Sequence, residues 1–115
     1  GFDRLIKMIL SITPQKREDG KPAKILLMAP PHIGDNLCEI PSGEEMGFER
    51  GIEYSKRLAP IYEEWAKFHH IDFLDAALYA QPSKIDACHL SEESHRTLGE
   101  AVTKKCREIL DLTDC

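Results

Sequence analysis

Asp86 and His89 stand three residues apart in the run Ile85-Asp86-Ala87-Cys88-His89-Leu90. A carboxylate that holds one nitrogen of an imidazole fixes the ring's tautomer and stabilises the protonated ring. The other nitrogen is then left to take up and return a proton. An unperturbed imidazole titrates at about 6.5, so both steps are accessible near neutrality. One short turn can present both side chains to each other at this spacing. The plainer alternative is that Asp86 caps a turn and His89 is an ordinary surface residue. Cys88 beside His89 raises a thiol–imidazole nucleophile, but adjacent side chains diverge and such pairs meet in space rather than in sequence. Cys88 therefore reads as a small apolar filler. His69, His70, His89 and His95 with nearby carboxylates raise a metal site. Their spacings match neither a helical i, i+4 pair nor a zinc-finger pattern, so no metal is expected.

The elements that must position these groups follow from hydrophobic periodicity. Phe2, Leu5, Ile6, Ile9 and Leu10 recur at helical spacing, with no start signal before them. Pro14 to Pro22 is a charged, solvated loop. Lys24 to Ala29 is an apolar run closed by Pro30 and Pro31, as expected of a strand buried on both faces of a parallel sheet. Pro30 to Gly43 then forms a long loop at the strand's carboxyl end, where open α/β sheets bind ligands. Ser42 and Glu45 make a capping-box pair that predicts a helix to about Phe68, with Pro60 expected to kink or divide it. Met46, Phe48, Tyr62 and Trp65 fall on its apolar side, facing core or partner, whereas Glu44, Glu45, Glu49, Glu63 and Glu64 read as exposed. A short strand near Ile71 to Leu74, a loop from Tyr79 to Cys88, and a helix from Glu92 to about Leu110 capped by Ser91 complete the chain. Helix, strand, helix, strand, helix implies a parallel sheet with right-handed crossovers. Two strands leave an edge for something else to cover.

With 115 residues, 42% hydrophobic and 30% charged, the chain reads as one small globular unit rather than a disordered or membrane-spanning one. The net charge of -5 and the lack of a concentrated basic face exclude a nucleic-acid binder. No apolar run approaches the roughly 20 residues of a membrane helix, and no signal-peptide pattern opens the chain. Cys38, Cys88, Cys106 and Cys115 show no CxxC, which favours reduced thiols and a cytoplasmic protein. A first residue of Gly1 suggests a tag remnant, a processed product or a piece of a longer chain.

Ile85-Asp86-Ala87-Cys88-His89-Leu90, followed by Ser91-Glu92-Glu93-Ser94-His95-Arg96-Thr97-Leu98-Gly99, resembles the last conserved block of the SGNH (GDSL-type) hydrolases. Ile25 to Ala29 with its Pro30-Pro31 exit, and Phe73-Leu74-Asp75, are similar to the family's final two sheet strands. The resemblance implies a three-layer α/β/α flavodoxin-like fold around a five-stranded parallel sheet, with residues 1–115 as its C-terminal half. It implies ester hydrolysis by a Ser-His-Asp triad, with His89 as base and Asp86 as orienter. No metal or organic cofactor is needed for that chemistry. His32 would lie in the wall of the acyl or alcohol pocket, with Ile33 and Asn36, and also Leu37 and Ile40, as further lining.

The family's nucleophilic serine lies in a Gly-Asp-Ser motif, and its oxyanion donors are a glycine and an asparagine. Here the one Gly-Asp pair, Gly34-Asp35, is followed by Asn36. The N-terminal nucleophile half is therefore expected to be absent, and the isolated chain to be inactive. The expected partners are a small ester, and either a second copy of the chain or the missing half, covering the open strand and one side of the first helix. A second reading is a non-catalytic binding or assembly module derived from a truncated hydrolase. A metal-dependent hydrolase using the histidines ranks last.

Overall fold

The apolar run after Lys24 does become a strand, but only part of it is in the ladder. In the computed structural model, which describes residues 1–112, β1 is Leu26–Ala29 and β2 is Asp72–Asp75. They pair in parallel, from Leu26 opposite Asp72 to Ala29 opposite Asp75, and form a two-stranded sheet among the described residues. Cys115 lies outside the described residues.

Three helices accompany this pair among the described residues. Helix α1, Phe2–Ile12, buries Ile6 and sets Phe2 edge-on to Tyr62 with ring centres 4.7 Å apart. Thr13 closes its end. The hydroxyl donates to the Ile9 carbonyl at 2.7 Å and accepts from the Ala23 N–H at 2.9 Å, tying the charged loop back before β1 begins. Helix α2, Phe48–His69, crosses from β1 to β2. Pro60 neither divides it nor ends it.

The start of α2 differs from the capping-box expectation. Pro41–Gly43 is a separate 3-10 turn, and the helix begins after Gly47, whose φ of 80° places it in the left-handed region. The cause is tertiary. Leu37 is completely buried, and the chain folds over it so closely that a Cβ on Gly43 would stand 2.3 Å from the Leu37 carbonyl oxygen. Burying Leu37 outweighs the turn or so of helix that Ser42 and Glu45 would have started.

Helix α3, Glu92–Ile109, begins as expected, with Ser91 Oγ accepting from the Ser94 N–H at 3.2 Å. Ser94 is buried. Its Oγ donates to the Gln81 carbonyl at 2.8 Å and accepts the Gln81 N–H at 3.0 Å. Thr97 adds a bond to the Tyr79 carbonyl at 2.6 Å. These contacts fasten α3 to the segment after β2, and a bridge between Pro82 and Leu90 closes the loop that carries Asp86 and His89.

Apart from Leu37, the fully buried side chains among the described residues are small, with Ala29, Ala76 and Ala87 all at 0% exposure. Larger apolar groups remain in solvent. Leu5, Met8 and Ile12 on α1 are 55%, 47% and 42% exposed, and Met28 on β1 is 42% exposed. β1 is thus not buried on both faces within this chain. No helix among the described residues is long and apolar enough to cross a membrane.

Candidate acid–base site and its cavity

Asp86 is a turn-forming residue before it is anything else. Its Oδ1 accepts the Cys88 N–H at 3.1 Å and the His89 N–H at 3.0 Å, an arrangement that short acidic side chains favour at turns. The other oxygen, Oδ2, lies 2.6 Å from His89 Nδ1. An ionised carboxylate can only accept, so Nδ1 carries the proton and Nε2 is the nitrogen left to take one up. The same carboxylate therefore shapes the turn and orients the ring. The His89 side chain is 85% exposed.

The turn is closed by a further set of backbone bonds. Ser83 N–H donates to the His89 carbonyl at 2.6 Å, and Ala87 N–H to the Ser83 carbonyl at 2.9 Å. Ala87, at the tip, has φ 59°. That left-handed conformation costs an L-residue about 1–2 kcal/mol, so the turn holds this shape only because its surroundings fix it. Cys88 is exposed rather than filling the interior. Ala87, completely buried, is the small apolar filler instead.

The Asp86 carboxyl is held below the usual carboxylate range, first by the Cys88 N–H, then by the His89 ring and the His89 N–H. A depressed folded pKa favours the turn once pH exceeds the unfolded value of about 3.9, and the contribution is lost as pH falls through the folded value. The turn should therefore stay intact through mildly acid solution and loosen only below that. A carbon-13 titration of the Asp86 carboxyl should give a midpoint under the ordinary one. A midpoint at or above it would remove the bonds described here.

His89 borders a cavity of about 430 Å³. Its walls are Pro30, Pro31, His32 and Ile33 from the loop after β1, Met46, Ser55 and Leu58 from the α2 side, and Cys88, Leu90 and His95 around the turn. His32 and Ile33, singled out in the sequence, are brought to His89. Asn36 is not. It lines a different groove with Asp35, Glu39 and Lys84, and its Nδ2 donates to the Lys84 carbonyl at 2.9 Å. The helical stripe and the capping serine account for Met46, Leu58 and His95 as elements of structure, but nothing in the sequence pointed them at His89. Ser55 was missed altogether. Its buried Oγ accepts the Ile33 N–H at 3.0 Å and donates to the Ile52 carbonyl, pinning the cavity wall to α2. A small polar residue inside an apolar helical stripe was the available signal.

His89 and His95 share the cavity with His32, and His69 is not among its walls. His69 stacks on Trp65 with ring centres 5.7 Å apart, and its Nε2 lies 3.2 Å from Asp3 Oδ1, near enough for charge attraction but not aligned as a hydrogen bond. Among the described residues no group of three or more His, Cys, Asp or Glu is placed to hold a metal ion.

No protein-family model matches the chain, and no curated protein sequence does. Solved structures do. A carbohydrate acetylesterase family member from Sinorhizobium meliloti superposes with a TM-score of 0.78 at 28% identity, over 96% of this chain and 50% of its own. This is part of an SGNH-type esterase fold. A protein from Agrobacterium tumefaciens named as an arylesterase matches with a TM-score of 0.73 and 33% identity, over 92% of this chain and 48% of that one. The aryl esterase of M. smegmatis gives 0.75 and 25%, over 94% and 49%. The chain thus spans about half the length of the structures it matches, and its parallel strand pair and helices fit a carboxy-terminal portion of the SGNH-type fold.

Proposed function

We propose that this chain supplies the base and orienting acid of a Ser-His-Asp ester hydrolase, with the serine in the part of the fold that the chain does not span. The observation that carries the reading is the 2.6 Å contact between His89 Nδ1 and Asp86 Oδ2 beside a cavity of small-ester size. In this mechanism a serine hydroxyl attacks the ester carbonyl while His89 Nε2 takes its proton. The same nitrogen returns the proton to the departing alcohol, and water repeats the cycle on the acyl-serine. Asp86 holds the ring and stabilises the imidazolium without leaving its turn. The apolar walls Ile33, Met46, Leu58 and Leu90 suit a short acyl or aryl group. Acetylated sugars and aryl esters are the substrates to try first, since the matched structures are a carbohydrate acetylesterase family member and aryl esterases. The free thiols Cys38, Cys88 and Cys106 suit a reducing, cytoplasmic setting.

The experiment is to assay p-nitrophenyl acetate with a longer version of the chain that carries a Gly-Asp-Ser block, and with the chain alone. The longer version should turn the ester over and the chain alone should not. No turnover by any longer version would sink the proposal.

The exposed stripe on α1 and the unshared edge of the sheet favour a second reading, in which assembly is the function. Under either reading, the chain alone should form dimers or larger species that cover Leu5, Met8, Ile12 and Met28. A monodisperse monomer by light scattering at micromolar concentration would count against this covering.

A further inference from the structure

We infer that Gly34 and Asn36 are positioning residues for the Asp86–His89 pair, clamping its turn from outside through two backbone carbonyls. This rests on the reading of that pair as base and acid. The turn's internal bonds account for the N–H groups of Ile85, Ala87, Cys88 and His89 and for the Ser83 and His89 carbonyls. The Lys84 and Ala87 carbonyls point the other way, and the loop after β1 takes both. Gly34 N–H donates to the Ala87 carbonyl at 2.7 Å, and Asn36 Nδ2 to the Lys84 carbonyl at 2.9 Å.

Gly34 can reach Ala87 only because it lacks a side chain. A Cβ there would stand 2.8 Å from Asn36 Oδ1, 3.1 Å from the Ala87 Cβ and 3.2 Å from the Ala87 Cα. The position is buried, and the contact falls on the one left-handed residue of the turn. The loop is in turn fixed to α2 on either side of Gly34. Ile33 N–H bonds Ser55 Oγ at 3.0 Å, and Asp35 pairs with Lys56 at 2.9 Å. A continuous path therefore runs from α2 through four successive loop residues to the turn that orients His89. The same short segment carries the cavity wall at His32 and Ile33 and the clamp at Gly34 and Asn36. Wall and base are set in one frame, so Asn36 acts on the pair without touching it.

The test uses nitrogen-15-labelled chain as it stands, comparing wild type with Asn36→Ala and the isosteric Asn36→Asp, which replaces the donor by an acceptor. Amide hydrogen exchange is read at Ala87, Cys88 and His89 and across α2, together with the ring nitrogen shifts of neutral His89. Losing one clamp bond should speed exchange in the turn about tenfold while α2 amides keep their wild-type rates. The ring should move from the Nδ1–H form, which the Asp86 bond selects, toward the Nε2–H form that free imidazole prefers. Turn exchange and tautomer that match wild type in both variants would overturn the inference. So would exchange that rises equally in the turn and in α2, or variants that fail to fold, since either marks a general structural role. None of these readouts involves ester turnover, so failure of the hydrolase reading and failure of the clamp are distinguishable.

Discussion

Replacing His89 by alanine, in an assembly that includes the serine portion, should lower kcat for a p-nitrophenyl ester by at least about a thousandfold while leaving KM within a few-fold. The asymmetry follows from the structure. The imidazole is mostly in solvent and contributes little to the cavity wall, so substrate binding loses little when it is removed. Proton transfer loses its proposed base, and the carboxylate left on the turn is held below the usual range and is a poor replacement. Asp86→Asn should also be severe, for two separable reasons. The amide cannot stabilise an imidazolium, and its NH₂ group would meet Nδ1–H as a second donor unless the ring changed tautomer. If the amide instead turns its oxygen to Nδ1–H, it loses the Cys88 and His89 N–H bonds, which should show as faster exchange of those two amides. Turnover of His89→Ala within tenfold of wild type would show that another group is the base.

The largest effect on stability is expected at Leu37. Its replacement by alanine should cost about 2–5 kcal/mol, read as a shift in urea midpoint with an unchanged slope. Among the described residues Leu37 is the one large side chain that is fully buried, and most of the other buried apolar residues are alanines, too short to fill the space left behind. Gly43 and Gly51 crowd the same site. A Cβ on Gly51 would come 2.1 Å from the Met46 carbonyl oxygen and 3.7 Å from Leu37 Cδ2, so the loop is built around this side chain at backbone distance. Leu37→Met, nearly volume-conserving, should cost less than about 1.5 kcal/mol. A cost below about 1 kcal/mol for the alanine variant would mean that Leu37 is not the keystone of the loop.

Much of this was legible in the residues, for reasons that differ by element. The three long helices and the order of elements follow from periodicity and from local caps such as Ser91, whose hydroxyl needs only its own helix to act. The Asp86–His89 contact was legible because both groups lie in one turn, where spacing nearly determines geometry. The errors came where distant chain decided the outcome. Ser42 and Glu45 carry a local helix signal that the burial of Leu37 overrides. Asn36 looked like cavity lining because it sits in the right loop, but a bond spanning 48 residues turns it toward Lys84. Cys88 looked like the apolar filler, but Ala87, with a left-handed φ that composition does not reveal, is the neighbour that is buried.

The closure of the Asp86–His89 turn upon itself has a consequence for how such a site can be divided. Acid, base and the backbone that aligns them fall within seven consecutive residues, from Ser83 to His89, and the two outside clamps come from this same chain. Nothing in that geometry waits on the other half of the fold. If the pair is the proposed base and acid, the half-site is portable: it can be cut, carried or inherited apart from a nucleophile and still present an oriented imidazole. Joining the halves would then be a matter of docking two finished surfaces, with no catalytic group left to be shaped by the encounter.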